Sequence, residues 1–155
     1  MPHYFAFGSN MHRLRLERRV GPVVDHGCAM LADHLHGFCK RGTDGSGKGN
    51  IQPRIGCQVH GVLYEVSDAQ LEVLATYEPG YARVELTAHA RGEAIVVVSF
   101  RADMWVPGLA PTEQYLEHYR RGMREHDLPA AYVREVLASV VTPRPGGRGS
   151  PGRSG

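Results

Sequence analysis

The stretch Tyr4-Phe5-Ala6-Phe7-Gly8-Ser9-Asn10-Met11 constrains the fold of this chain more than any other. Tyr4 to Phe7 are aromatic or small residues that suit a buried strand. Gly8 then permits backbone angles that a side chain resists. Asn10 is a good helix N-cap, ahead of an apolar stripe begun by Met11 and Leu14. A strand that runs through Gly-Ser-Asn into a helix leaves several backbone N–H groups unpaired and aimed one way, which suits a carboxylate, a phosphate or a developing oxyanion. The same pattern also fits an ordinary strand-to-helix connection, and spacing alone does not separate the two.

The remainder fits one globular domain. With 155 residues and 42% hydrophobic content the chain can bury a core. No apolar run approaches the roughly 20 residues of a membrane span, and Met1-Pro2-His3 leads into the first strand without a signal-peptide pattern. Cys28, Cys39 and Cys57 are odd in number, so reduced thiols in the cytoplasm are the simpler expectation. The formal charge is +2, but Arg144, Arg148 and Arg153 lie in a Pro/Gly/Ser-rich tail; setting them aside reduces 18 basic residues to 15, against 16 acidic. A near-neutral body argues against a nucleic-acid partner, which needs a basic face.

In chain order, Arg13, Arg15, Arg18 and Arg19 read as the solvated face of a first helix. Gly27 to Phe38 reads as a strand, with His34 and His36 on one face. Neither HExxH nor CxxC spacing accompanies these imidazoles or the nearby thiols, so no metal is expected there. Residues 40–56 read as a long Gly-rich loop, mobile over a site. Gly42 to Lys48 is a near miss to a phosphate-binding loop that lacks both the following Ser/Thr and a helix. Gln58 to Val66 reads as a strand, and Ser67 with Gln70 forms a capping box that opens a helix ended by Pro79-Gly80. Tyr81 to Ala90 alternates as a half-exposed strand. Arg91-Gly92-Glu93 turns it into Ala94 to Phe100, whose Ile95-Val96-Val97-Val98 run predicts burial on both faces. Pro111-Thr112-Glu113 starts a helix with Tyr115, Leu116, Tyr119 and Met123 on one side. Asp127-Leu128-Pro129 separates it from a shorter helix with Val133, Val136, Leu137 and Val140 inward. The expected class is α+β: a small curved, mainly antiparallel mixed sheet in a domain over 1–142, followed by a disordered tail over 143–155.

The words of the chain add a resemblance. YFAFGSNM is similar to the YFAYGSN(L/M) signature of the gamma-glutamylcyclotransferase family, which shares its fold with AIG2-like proteins and the butirosin-pathway cyclotransferase. Val59 to Tyr64, Leu74 to Tyr81 and Pro111 to Tyr115 match in the same order, so the resemblance covers roughly residues 3 to 130. Phe7 stands where the family usually has Tyr. Gly8-Ser9-Asn10 differs from the Tyr-Gly-Thr-Leu turn of the gamma-glutamylamine cyclotransferases. The resemblance implies a partly closed barrel with helices at its rim. It also implies an enzyme without cofactor or metal whose partner is a small gamma-glutamyl amide, as a monomer or homodimer. Such enzymes let the substrate's α-amine attack its own γ-carbonyl, releasing 5-oxoproline and an amine.

By the same resemblance, Glu78 is the catalytic base and acid, Tyr115 contacts substrate, and the backbone across Tyr4, Phe5, Ala6, Phe7, Gly8 and Ser9, with Asn10, forms the substrate cradle. A solvated helix-end carboxylate is the plain alternative for Glu78, although a helix C-terminus disfavours negative charge. For Tyr115 it is a core aromatic. The rival classes are a non-catalytic AIG2-like binding module and a gamma-glutamylamine cyclotransferase acting on isopeptides or a biosynthetic intermediate. Since a Pro/Gly/Arg tail buries little, removing residues 143–155 is expected to leave melting temperature and turnover nearly unchanged. A large loss of either, measured by thermal melting and a 5-oxoproline assay, means that the tail docks on the body.

Overall fold

A computed structural model of the chain describes residues 1–140; the proposed tail over 143–155 lies outside the described residues. Five strands, β1 (His3–Ala6), β2 (Val24–Arg41), β3 (Gly47–Glu65), β4 (Ala82–Ala90) and β5 (Glu93–Arg101), close into a barrel in the order β1-β3-β2-β4-β5. All neighbours run antiparallel except β1 and β5, whose parallel seam is registered at Tyr4 and Val98. The seam between β2 and β4 is equally thin, registered at Met30 and His89. Four helices flank the barrel: α1 (Arg13–Val20), α2 (Asp68–Thr76), α3 (Glu113–Glu125) and α4 (Ala130–Ala138).

Local chemistry sets several of these boundaries. The hairpin β4–β5 turns at Arg91 and Gly92, both with positive φ (52° and 77°), which matches the right-handed twist of the flanking strands. Ser67 and Gln70 form the capping box at the start of α2. Thr112, not Pro111, caps α3 by accepting from the Tyr115 N–H at 3.1 Å. In α3, Leu116, Tyr119 and Met123 are buried; in α4, Tyr132 joins Val136 as a buried residue, with Val133 and Leu137 partly buried, as is Val140 just beyond the helix.

Three expectations are corrected. The segment 40–56 is not a long loop: only residues 42–46 turn, and Gly47 onward belongs to β3. Its glycines permit close approach rather than floppiness, since a methyl on Gly47 would meet the Phe38 carbonyl at 2.8 Å and one on Gly49 would collide with the Tyr119 hydroxyl. Val96 is 60% exposed, so the valine run is buried on one face only. Asn10 caps no helix: a 3₁₀ turn over Ser9–Met11 precedes α1, His12 holds the cap position, and Leu14 is exposed. His34 and His36, expected on one strand face, take different partners. A register shift separates Ala32 from His34; the His34 Nδ1 pairs with the Ala32 carbonyl, and the His36 Nε2 with the Tyr119 hydroxyl at 2.7 Å.

The 3₁₀ turn is gripped from two sides. Tyr64, fully buried, donates its hydroxyl to the Met11 carbonyl at 3.0 Å. Gly122 lets α3 approach so closely that a methyl there would lie 2.6 Å from the His12 nitrogen. Gly→Ala inside a helix ordinarily gains about 1 kcal/mol. At Gly122 the sign is expected to invert, with Gly122→Ala destabilising by about 1–3 kcal/mol through overpacking. Urea unfolding checks this, and a stabilised Gly122→Ala protein excludes the tight contact.

Candidate active site

A cleft of about 100 Å³ opens where the 3₁₀ turn, the end of α2 and the tip of the β2–β3 hairpin meet. Of the residues expected at the site, Tyr4, Phe7, Gly8, Ser9, Asn10, Glu78 and Tyr115 line it. Phe5 and Ala6 do not: both are buried in the core, and β1 pairs them with Leu63 and Val62 of β3. Sequence reasoning missed Arg15, Arg19, Lys40, Lys48, Gly49 and Tyr81, which also face the cleft.

Among the described residues, Glu78 is the one acidic residue lining the cleft. It follows the last turn of α2 and is half-buried. Loss of hydration pushes its carboxyl up to about 7, although Arg19, Arg15, the Asn10 hydrogen bond and Lys40 all favour the charged form. Asn10 connects this carboxyl to the turn: its Nδ2 donates to the Glu78 Oε1 at 3.3 Å and to the Tyr4 hydroxyl at 3.1 Å, while its Oδ1 accepts from Arg19 at 3.3 Å. Asn10 is 3% exposed, and a buried amide with these three contacts has little freedom to rotate.

The turn itself offers donors. Among the described residues, the backbone N–H groups of Gly8, Ser9 and Asn10 have no hydrogen-bond acceptor, whereas those of Met11 and His12 return to the Gly8 and Ser9 carbonyls. Arg15 Nε donates to the Ser9 hydroxyl at 2.9 Å, and its Nη1 faces His118 Nε2 at 3.1 Å. A guanidinium only donates, so His118 Nε2 accepts. The His118 proton therefore sits on Nδ1, facing the His12 Nδ1 at 2.9 Å. Burial and the adjacent Arg15 keep His118 neutral by pulling it down to about 4. Arg15 and Arg19 are thus half-buried cleft residues rather than a solvated face.

Tyrosines form the opposite wall. Tyr81 donates to the Gly49 carbonyl at 2.6 Å and Tyr115 accepts from the Gly49 N–H at 2.9 Å, so one residue of β3 is held through both of its backbone groups. Burial pushes the Tyr4, Tyr81 and Tyr115 hydroxyls above the ordinary phenol range, which leaves them neutral hydrogen-bonding groups. Lys48 and Lys40 lie over the Tyr115 and Tyr81 rings at 4.5 and 5.3 Å. The assembly sets a carboxyl that titrates near neutrality beside unpaired amide donors, in a cationic cleft. That combination suits proton transfer on an anionic substrate.

Comparison with known proteins bears on the family and the fold. A family model described as the AIG2-like family matches residues 58–136, which include Glu78 and Tyr115. A solved structure described as gamma-glutamyl cyclotransferase matches with a TM-score of 0.82 at 22% identity, over 92% of this chain and 90% of the other. An uncharacterized protein from Homo sapiens matches with a TM-score of 0.82 at 24% identity, over 93% and 90%. An AIG2-like protein from Mus musculus matches with a TM-score of 0.53 at 20% identity, over 75% and 82%. At these identities the likeness is one of fold. No curated protein sequence matches the chain.

The raised carboxyl has a measurable signature. In the unfolded chain Glu78 ionises near 4.5, in the fold near 7. Folding therefore loses stability as pH rises from 4.5 through 7, because the carboxylate is better hydrated when unfolded. Glu78→Gln lacks that loss, so it is expected to be more stable than the parent by about 1–3 kcal/mol at pH 8, with the difference shrinking toward pH 5. Melting curves at both pH values check this. A variant that melts at or below the parent at pH 8 excludes a desolvated carboxyl.

Proposed function

Since the chain belongs to the AIG2-like family, we propose that it is a gamma-glutamylcyclotransferase-like enzyme that cleaves a gamma-glutamyl amide into 5-oxoproline and a free amine. The observation that carries this reading is the Glu78 carboxyl, pushed up to about 7 and tied through Asn10 to the Gly8–Asn10 turn.

The substrate brings its own nucleophile, so positioning supplies much of the acceleration. What remains is proton traffic. An α-amine has a reference pKa near 8, close to that of Glu78 in the cleft, so proton transfer between them is nearly balanced. Glu78 takes a proton from the α-ammonium, and the freed nitrogen attacks the γ-carbonyl. As the tetrahedral intermediate collapses, the bond to the leaving nitrogen breaks while Glu78 gives that nitrogen its proton; the regenerated carboxylate then takes the second proton from the cationic ring nitrogen and passes it to the departing amine, which leaves as an ammonium beside the neutral lactam. The unpaired N–H groups at Gly8, Ser9 and Asn10 would hold the glutamyl carboxylate and polarise the carbonyl as its oxygen gains charge. Desolvation favours this chemistry, since a fully hydrated carboxylate near 4.5 is a weaker base for the ammonium.

Glu78→Gln keeps the side chain's size and removes its basicity. Turnover of gamma-glutamyl amides, read as released 5-oxoproline, is expected to fall by about 10² to 10⁴, while 5-oxoproline binding changes little. In the parent, kcat/KM is expected to fall as pH drops below about 7, where Glu78 takes up its proton. A Gln variant within a few-fold of the parent rate excludes Glu78 as the base. An enzyme that binds 5-oxoproline and turns over no gamma-glutamyl amide is a binding module instead.

A further inference from the structure

Away from the cleft, at the other end of β1, three potential metal ligands meet. His3 opens β1 and pairs directly with Glu65, the last residue of β3. Within β1, three residue steps from His3 to Ala6 span about 10 Å, and the Gly8 turn lies beyond. His26 comes from the start of β2, inside the irregular segment between Asp25 and Cys28. Its Nε2 is 3.0 Å from the Glu65 Oε1, and its ring lies 5.7 Å from that of His3. One ligand atom from each of the three residues falls within 4.8 Å of the other two.

We propose that His3, His26 and Glu65 bind a divalent first-row transition-metal ion, with Zn²⁺ as the best match to two imidazoles and one carboxylate. The donor set decides the class of ion. Mg²⁺ and Ca²⁺ favour all-oxygen shells, whereas imidazole nitrogen with one carboxylate suits Zn²⁺, Co²⁺ or Ni²⁺. Bond lengths of about 2.0–2.2 Å place tetrahedral ligands about 3.3 Å apart. The His26–Glu65 pair already meets that spacing, and His3 reaches it by a small side-chain swing. The His26 and Glu65 side chains are each 32% exposed, so an ion can enter from solvent, and open positions remain for water.

The backbone around His26 is fixed by contacts unrelated to the ligands themselves. Gly27 takes φ of +85° and donates its N–H to Asp25 Oδ1 at 2.8 Å, which shapes the bulge. The other oxygen of Asp25 accepts from His126 at 2.6 Å, and Arg91 donates to the His26 carbonyl at 3.0 Å. Val24 pairs with Glu65, so His26, two residues further along β2, belongs to the same face of the sheet as Glu65, and the bulge that begins after Asp25 fixes where its backbone lies. A bound ion would join β1, β2 and β3 at the end of the barrel far from Glu78. Its action is on stability, and no step of the glutamyl chemistry passes through it.

The test uses the full-length chain without an affinity tag, stripped of metal. Calorimetric titration with Zn²⁺ is expected to give one site per chain with a dissociation constant in the micromolar range or below. Co²⁺ should produce visible absorption bands and selectively broaden the NMR signals of His3 and His26 in the unaltered protein, a readout that needs no variant to fold. His3→Gln, His26→Gln and Glu65→Gln should each weaken Zn²⁺ binding by about tenfold or more, whereas His34→Gln should not. Millimolar binding, broadening centred on other histidines, or equal affinity in His26→Gln and the parent overturns the site.

Discussion

The backbone at Met11 is the point on which the rest depends. Its carbonyl is held by Tyr64 and its Cα side by Gly122, so the residues just before it cannot relax into a regular helix. The N–H groups of Gly8 to Asn10 stay unpaired because the turn that carries them has nowhere else to go. Unpaired donors inside a protein are costly unless something pays them a visit in function. Here the cost is offset by the packing of β3 and α3 on the turn through Tyr64 and Gly122, which are about 60 residues apart in sequence and meet there only after the barrel forms.

A second tension sits in the cleft. Four cationic side chains face one carboxyl, and Coulomb attraction alone would drive its pKa down. Desolvation wins because Tyr4, Phe100 and the tyrosine wall exclude water from the carboxyl, whereas the charged ends of Lys40 and Lys48 rest over aromatic rings. The cations are better placed to meet a substrate than to neutralise Glu78.

What could be read from the sequence was local. The capping box at Ser67 and Gln70, the β4–β5 hairpin and the strand at Tyr4 rest on neighbours in the chain, and the barrel follows from them together with the family resemblance. The misses are all tertiary. Asn10 has the chemistry of an N-cap, but a carboxyl 68 residues away uses its amide. Arg15 and Arg19 look solvated on a basic helix until α2 brings Glu78 beside them. Gly47 and Gly49 carry loop propensity, yet their lack of a side chain makes room for Leu109 and Tyr119. The valines of β5 are uniform in sequence, but a closed barrel has an outer face, and Val96 lies exposed on it.

The barrel is closed by two thin seams, and this makes it mechanically two bodies: β1, β2 and β3 on one side, the β4–β5 hairpin on the other. What ties them near the cleft is largely side chain to backbone: Ser99 to the Phe5 carbonyl, Asn50 to both backbone groups of Ala102, and Tyr81 to the Gly49 carbonyl. A ladder of backbone bonds is indifferent to sequence, but these ties can be exchanged one residue at a time. The width of the cleft, and hence the size of ligand it admits, is therefore open to stepwise evolutionary change without rebuilding the fold.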